Sequence, residues 1–168
     1  TTVNISYKIV NKNNPEDCFY NDYDEASIVI PGLYETEAND NEKPIVLPEI
    51  QEWKGLSGTF TLSENTKLVA SDESLVDTLE LVQFYFKEML NREIEVVVGT
   101  PSSEDIYFTL SEKTELGQEG YIANIDENVT VEAYGKKGIQ YAGATLVQIL
   151  AQSEHKDTLP KGIIRDYP

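Results

Sequence analysis

Carboxylates are the first chemistry to consider, because 30 of the 168 residues are Asp or Glu and only 13 are Lys or Arg. Paired carboxyls work as general acid and base only where burial or a close neighbour drives their pKa values apart. Asp126-Glu127 and the Glu112/Glu115 pair fall in polar loops that supply no such burial, so both read as solvated. Glu16, Asp17, Asp22, Asp24 and Glu25 make an oxygen-rich stretch of the kind that takes a hard cation. Their spacing lacks the glycine and the closing glutamate of an EF-hand, so a solvated acidic loop is expected and no metal is predicted. His155 is the only histidine, and any Ser-His-Asp triad would have to use it. It lies in the polar run Gln152-Ser153-Glu154-His155-Lys156-Asp157, which reads as an exposed helix end. Cys18 sits among acidic residues that favour the protonated thiol, a poor setting for a nucleophile. No CxxC, HExxH or phosphate-cradling glycine loop occurs. No catalytic residue, substrate-binding residue or cofactor is assigned.

Ten tyrosines and Trp53 raise a different chemistry, since aromatic faces suit pyranose rings. Tyr121, Phe86 and Phe108 occupy patterned apolar positions and read as core. Trp53 reads more readily as packing beside Pro48 than as a sugar platform. The formal charge of −17 disfavours phosphate backbones and anionic lipid, so neither nucleic acid nor a membrane surface is an expected partner. One cysteine rules out an intrachain disulfide framework. No run approaches the ~20 apolar residues of a membrane span. The chain opens on Thr1-Thr2 with Met89 as its only methionine, and it reads as a piece of a longer polypeptide.

The elements that would position these groups follow from apolar periodicity. Tyr121, Ala123 and Ile125, then Val129, Val131 and Ala133, alternate with polar residues across the short turn Asp126-Glu127-Asn128. That period of two predicts a hairpin with one buried face. Ile139, Ala142, Leu146, Ile149 and Leu150 then fall on one side of a helix, and a strand from Gly162 closes the chain. Upstream, Leu75, Leu79, Val82, Phe86 and Met89-Leu90 predict a helix of about four to five turns, which Asp72 or Ser74 would cap. Ile45-Val46-Leu47, Phe60-Thr61-Leu62, Lys67–Ala70, Ile94–Val98 and Asp105–Leu110 read as strands. Gly143 costs its helix about 1 kcal/mol relative to alanine, and close packing of that helix on the sheet is the expected reason. Two helices on one face of a mostly antiparallel or mixed sheet make an α+β two-layer sandwich. Residues 1–44 read as an extra β-rich segment, with strands at Val3–Ile9 and Ser27–Ile30, followed by an acidic linker from Glu35 to Lys43. The folded domain is expected over 45–168.

Three runs carry a resemblance. They are Leu116-Gly117-Gln118-Glu119-Gly120-Tyr121, Val129–Ala133, and Gly138 followed by Tyr141-Ala142-Gly143-Ala144-Thr145-Leu146-Val147-Gln148-Ile149-Leu150. Together they resemble the small N-terminal domain of glycoside hydrolase family 20, the β-N-acetylhexosaminidases and their relatives, lacto-N-biosidases among them. Leu159-Pro160 and Ile163-Ile164-Arg165-Asp166-Tyr167-Pro168 are similar to the strand that leads into that family's catalytic barrel. Leu47-Pro48, Trp53 and Gly58–Leu62 are similar to the way the domain begins.

The resemblance implies the same α+β architecture, a secreted or cell-surface glycosidase as parent, and catalysis elsewhere. In that family the substrate's acetamido group attacks, assisted by an Asp-Glu pair on the barrel, and no such position transfers to this chain. The implied role is a non-catalytic accessory domain that packs against the barrel, with Arg165, Asp166 and Tyr167 as candidates for the interface. Two alternatives stand beside it. One is a carbohydrate-binding module using Trp53 and exposed tyrosines. The other is the equivalent domain of an O-GlcNAcase-like or α-glucuronidase-like enzyme. A following Arg-Gly pair and a later adjacent Asp-Glu would favour family 20.

Overall fold

The structure is a computed structural model that describes residues 40–167, together with the backbone of Ile9–Val10 and Cys18–Phe19. The chain divides into two compact units, Thr1–Glu35 and Thr36–Pro168. In the first, β1 (Ile9–Val10) and β2 (Cys18–Phe19) pair antiparallel, with Ile9 opposite Phe19. The remaining expectations for that unit, the strand residues before Ile9, the strand Ser27–Ile30 and the acidic loop, lie outside the described residues.

The second unit is the α+β sandwich. Its strands are β3 (Glu52–Thr61), β4 (Lys67–Ala70), β5 (Glu95–Val98), β6 (Ile106–Leu110), β7 (Tyr121–Ile125), β8 (Val129–Ala133) and β9 (Thr158–Asp166). They form one sheet in the order β3-β9-β7-β8-β6-β4-β5. The sheet is mixed, with parallel pairing of β5, β4, β6 and β8 on one side. The pairs β8–β7, β7–β9 and β9–β3 are antiparallel. Parallel neighbours need a crossover connection, and α1 (Val76–Leu90) supplies it between β4 and β5. α2 (Lys136–Leu150) carries the chain from β8 over β7 to β9.

Local signals explain the helix ends. Asp72 accepts a hydrogen bond from the Ser74 N–H at 2.8 Å and opens a 3-10 turn, Glu73–Leu75, that runs into α1. At the other end Asn91 adopts φ 54°, the left-handed conformation that ends helices and that asparagine tolerates. Each helix buries one stripe, with Leu79, Val82, Phe86 and Leu90 on α1 and Ile139, Ala142, Leu146 and Ile149 among those on α2. They meet Leu68, Ile106, Phe108, Tyr121, Ile125 and Val131 of the sheet in a single apolar core.

Three local expectations are corrected. Gly143 does not lie against the sheet. A Cβ placed there would overlap Val82 of α1, so its hydrogen lets the two helices approach each other. Ile45–Leu47 is not a strand. The amide side chains of Gln148 on α2 and of Gln152 in the turn that follows it take up its backbone groups instead. The strand expected at Phe60 is the end of a longer one, the 10-residue β3, whose pairing with β9 shifts between Gly55 and Thr59. That shift breaks the alternation that reveals a strand in sequence. The fold also reaches into the stretch read as linker. Asn41 donates through Nδ2 to Gly58 O at 2.7 Å and Lys161 O at 2.9 Å, and its carbonyl accepts from Trp53 Nε1 at 3.0 Å.

Candidate docking site at the end of the sheet

β9 lies between β3 and β7, so its last residues have a strand on either side. The register sets Arg165 opposite Glu52 of β3 and Ile122 of β7, and Asp166 opposite Tyr121. Successive strand residues point to opposite faces. Tyr121 faces α2, where its hydroxyl donates to Thr145 Oγ1 at 2.7 Å. Asp166 therefore projects on the helix side and Arg165 on the open side.

On the open side Arg165 Nη1 stands 3.9 Å from Glu52 Oε1, with the two side chains only 16% and 9% exposed. The Tyr167 hydroxyl donates to the same Glu52 oxygen at 3.2 Å. The Arg165 guanidinium lies over the Tyr167 ring, 5.7 Å from its centroid, within cation–π range. Among the described residues the second Glu52 oxygen, Oε2, is buried and accepts no hydrogen bond. Partial desolvation, with the Glu52 carboxylate as acceptor, raises the Tyr167 phenol above its ordinary pKa. On the helix side Asp166 Oδ1 accepts the Gln51 N–H at 3.1 Å. Burial pushes the Tyr121 phenol far above the usual range; its bond to Thr145 opposes this and nearby Asp166 adds to it.

Arg165, Asp166 and Tyr167 were thus singled out in sequence, and the structure brings them together with two residues that were not, Gln51 and Glu52. Glu52 belongs to the part of β3 that periodicity missed. Its only sequence signal is that a paired strand would set it opposite an arginine. Chemically the cluster is an electrostatic clamp. On the open side one carboxylate, one guanidinium and one phenol hold each other, while the second carboxylate, Asp166, is taken up by the Gln51 N–H on the helix side.

The other chemistry-bearing residues are scattered. Trp53 is 8% exposed and its ring lies over Gly162, where a Cβ would collide with it. It is part of the core, which removes it as a sugar platform. Asp126 and Glu127 both pair with Lys161. Glu112, Glu115 and His155 are exposed. The side chains of Glu16, Asp17, Cys18, Asp22, Asp24 and Glu25 lie outside the described residues. Among the described residues no group of three or more His, Cys, Asp or Glu is arranged to hold a metal ion, and no helix is long and apolar enough to cross a membrane.

Comparison with known proteins agrees with this architecture. The family model described as glycosyl hydrolase family 20, domain 2, matches residues 43–167. A lacto-N-biosidase from Bifidobacterium bifidum is 30% identical over 138 residues, which is 75% of this chain and 11% of that protein. A β-N-acetylhexosaminidase from Bacteroides fragilis superposes with a TM-score of 0.57 at 22% identity, over 73% of this chain and 24% of that one. An exo-β-N-acetylglucosaminidase from Vibrio harveyi superposes with a TM-score of 0.61 at 18% identity, over 96% of this chain and 25% of that one. These two superpositions speak to the fold. The chain spans about a tenth of the curated relative that it matches. With the family model covering nearly all of the second unit, the chain belongs to glycosyl hydrolase family 20, as its domain 2.

Proposed function

We propose that the chain is a non-catalytic accessory domain of a β-N-acetylhexosaminidase-type glycosidase. Its task is to pack against the catalytic barrel that follows Pro168 and to stabilise it. The parent enzyme hydrolyses terminal N-acetylhexosamine-containing glycans, outside the cell or at its surface, by a substrate-assisted mechanism whose carboxylates lie on the barrel. The observation that carries this reading is the way the end of β9 is held. Arg165, Asp166 and Tyr167 are each tied to Gln51 or Glu52, so the chain leaves the sheet in a fixed direction. Such an exit orients whatever follows it. The membership in family 20 and the lacto-N-biosidase relative support the choice of parent.

The test is hydrolysis of a chromogenic N-acetyl-β-glucosaminide by this chain and by the same chain extended through the next few hundred residues. Turnover by the extended protein alone is the expected result. Turnover by the 168-residue chain itself would overturn the proposal.

A further inference from the structure

The segment from Ile45 to Leu47 is held on α2 more firmly than a surface loop requires. Leu47 N–H donates to Gln148 Oε1 at 3.0 Å, and Gln148 Nε2 donates back to Leu47 O at 3.0 Å. Gln152 Nε2, in the turn just past the end of α2, donates to Ile45 O at 2.8 Å. Val46 and, beyond it, Ile50 anchor the strap in the core at 4% and 1% exposure. Yet Ile45 and Leu47 are both 81% exposed, higher than any other large apolar residue among those described. Tyr141, at 42% exposure, stands on the same stripe of α2 as Gln148.

Backbone groups fixed by three hydrogen bonds, with two aliphatic side chains held out in water, describe a surface prepared for a partner. Exposed apolar side chains clustered and rimmed by polar groups mark interaction sites, and rigid presentation lowers the ordering cost of binding. The occupant is indicated by the route of the chain. Past the strap, Pro48, Glu49 and Ile50 lead to Gln51, whose N–H is bonded to Asp166. Through Gln51, four residues past Leu47, the strap is thus linked to the end of β9, where the chain leaves the sheet.

We propose that Ile45 and Leu47 form the apolar anchor by which this domain docks on the catalytic domain that follows it, with Gln148 and Gln152 as the residues that position them. This rests on the accessory-domain reading above and adds the surface that reading leaves unnamed.

Hydroxyl-radical footprinting of the 168-residue chain and of the extended protein tests it. Labelling of Ile45 and Leu47 is expected to fall about fivefold in the extended protein, as burial of an anchor would give. The double variant Ile45→Ser/Leu47→Ser should lower the melting temperature of the extended protein by several degrees and leave the shorter chain unchanged. Protection of Arg165 and Tyr167 without protection of the strap would overturn the anchor and leave the accessory reading intact. No new protection anywhere would defeat both. Concentration-dependent protection in the shorter chain alone would make a second copy the occupant and overturn the proposal equally.

Discussion

Along β7 and β8 the residues that face the helices are Tyr121, Ala123, Ile125, Val129, Val131 and Ala133, all at 1% exposure or less. The residues that alternate with them, Ile122, Asn124, Thr130 and Glu132, remain half-buried. The helix-facing side is close-packed apolar surface, where a missing methyl group leaves a void that neighbours cannot fill. The open side carries ion pairs and polar side chains, among them Lys113–Glu132 at 2.7 Å and Arg165–Glu52, beside apolar ones such as Ile122. Such pairs contribute little to net stability: water screens the exposed ones, and burying a pair costs desolvation that offsets its attraction. The contrast separates two kinds of surface, since the close-packed face holds the domain together while the polar face contributes Arg165, Glu52 and Tyr167 at the β9 end.

The sharpest way to break this contrast is to empty the helix side. Phe108 is fully buried, so Phe108→Ala should cost about 3–5 kcal/mol. Urea unfolding of the chain should show the midpoint fall with the slope unchanged; a loss below about 1 kcal/mol would mean the core relaxes around the gap.

Crowding the same layer should cost less. Gly143→Val pushes a side chain into Val82, for an expected loss of about 1–3 kcal/mol. Adding Val82→Ala should return part of that loss, because the two positions share one contact. A double variant no better than the sum of the singles would show that the helices do not meet there.

Asp105 tests a buried polar contact of the sheet's parallel half. Burial alone would raise its pKa, but hydrogen bonds from the Ser102 N–H at 2.7 Å, the Ser102 hydroxyl at 2.8 Å and the Lys67 N–H at 3.0 Å outweigh that and lower it. A depressed folded-state pKa means stability present above the unfolded value of about 3.9 and lost as pH falls through the folded value. Asp105→Asn should therefore cost about 1–2 kcal/mol near neutral pH. The gap to the parent chain should narrow in thermal melts taken below about pH 4. A gap that stays constant with pH would show that the charge contributes nothing.

The smallest effect belongs to the open face. Glu132→Gln removes a partly exposed pair with Lys113 and should cost less than about 1 kcal/mol. The difference should vanish when melts are repeated in high salt. A larger loss that persists in salt would make the open face structural after all.

Legibility in the sequence follows the same division. The β7–β8 hairpin, both helices and the buried aromatics Tyr121, Phe86 and Phe108 were readable because regular alternation or a helical stripe announces a buried face. β3 was readable only at its Phe60 end, since the register shift between Gly55 and Thr59 interrupts the pattern and hides Glu52. Ile45–Leu47 has a strand's composition, and its neighbour in space, Gln148, is 101 residues away. Local propensity carries no trace of such a partner. Gly143 was recognised as a close contact, but whether helix or sheet approached it depended on how the two helices cross.

Three of the five residues of the candidate site were visible on the same terms. Arg165, Asp166 and Tyr167 stand together in the chain, whereas Gln51 and Glu52 join them only through strand pairing. The sequence alone determined the α+β class, the order of its periodic elements and the family resemblance, because each of these is written in residues close together along the chain. The tertiary structure decided which strands adjoin, which carboxylate meets Arg165, and why two aliphatic side chains are held out on α2. Those outcomes depend on groups that are distant in sequence, and only folding brings them within reach of a hydrogen bond.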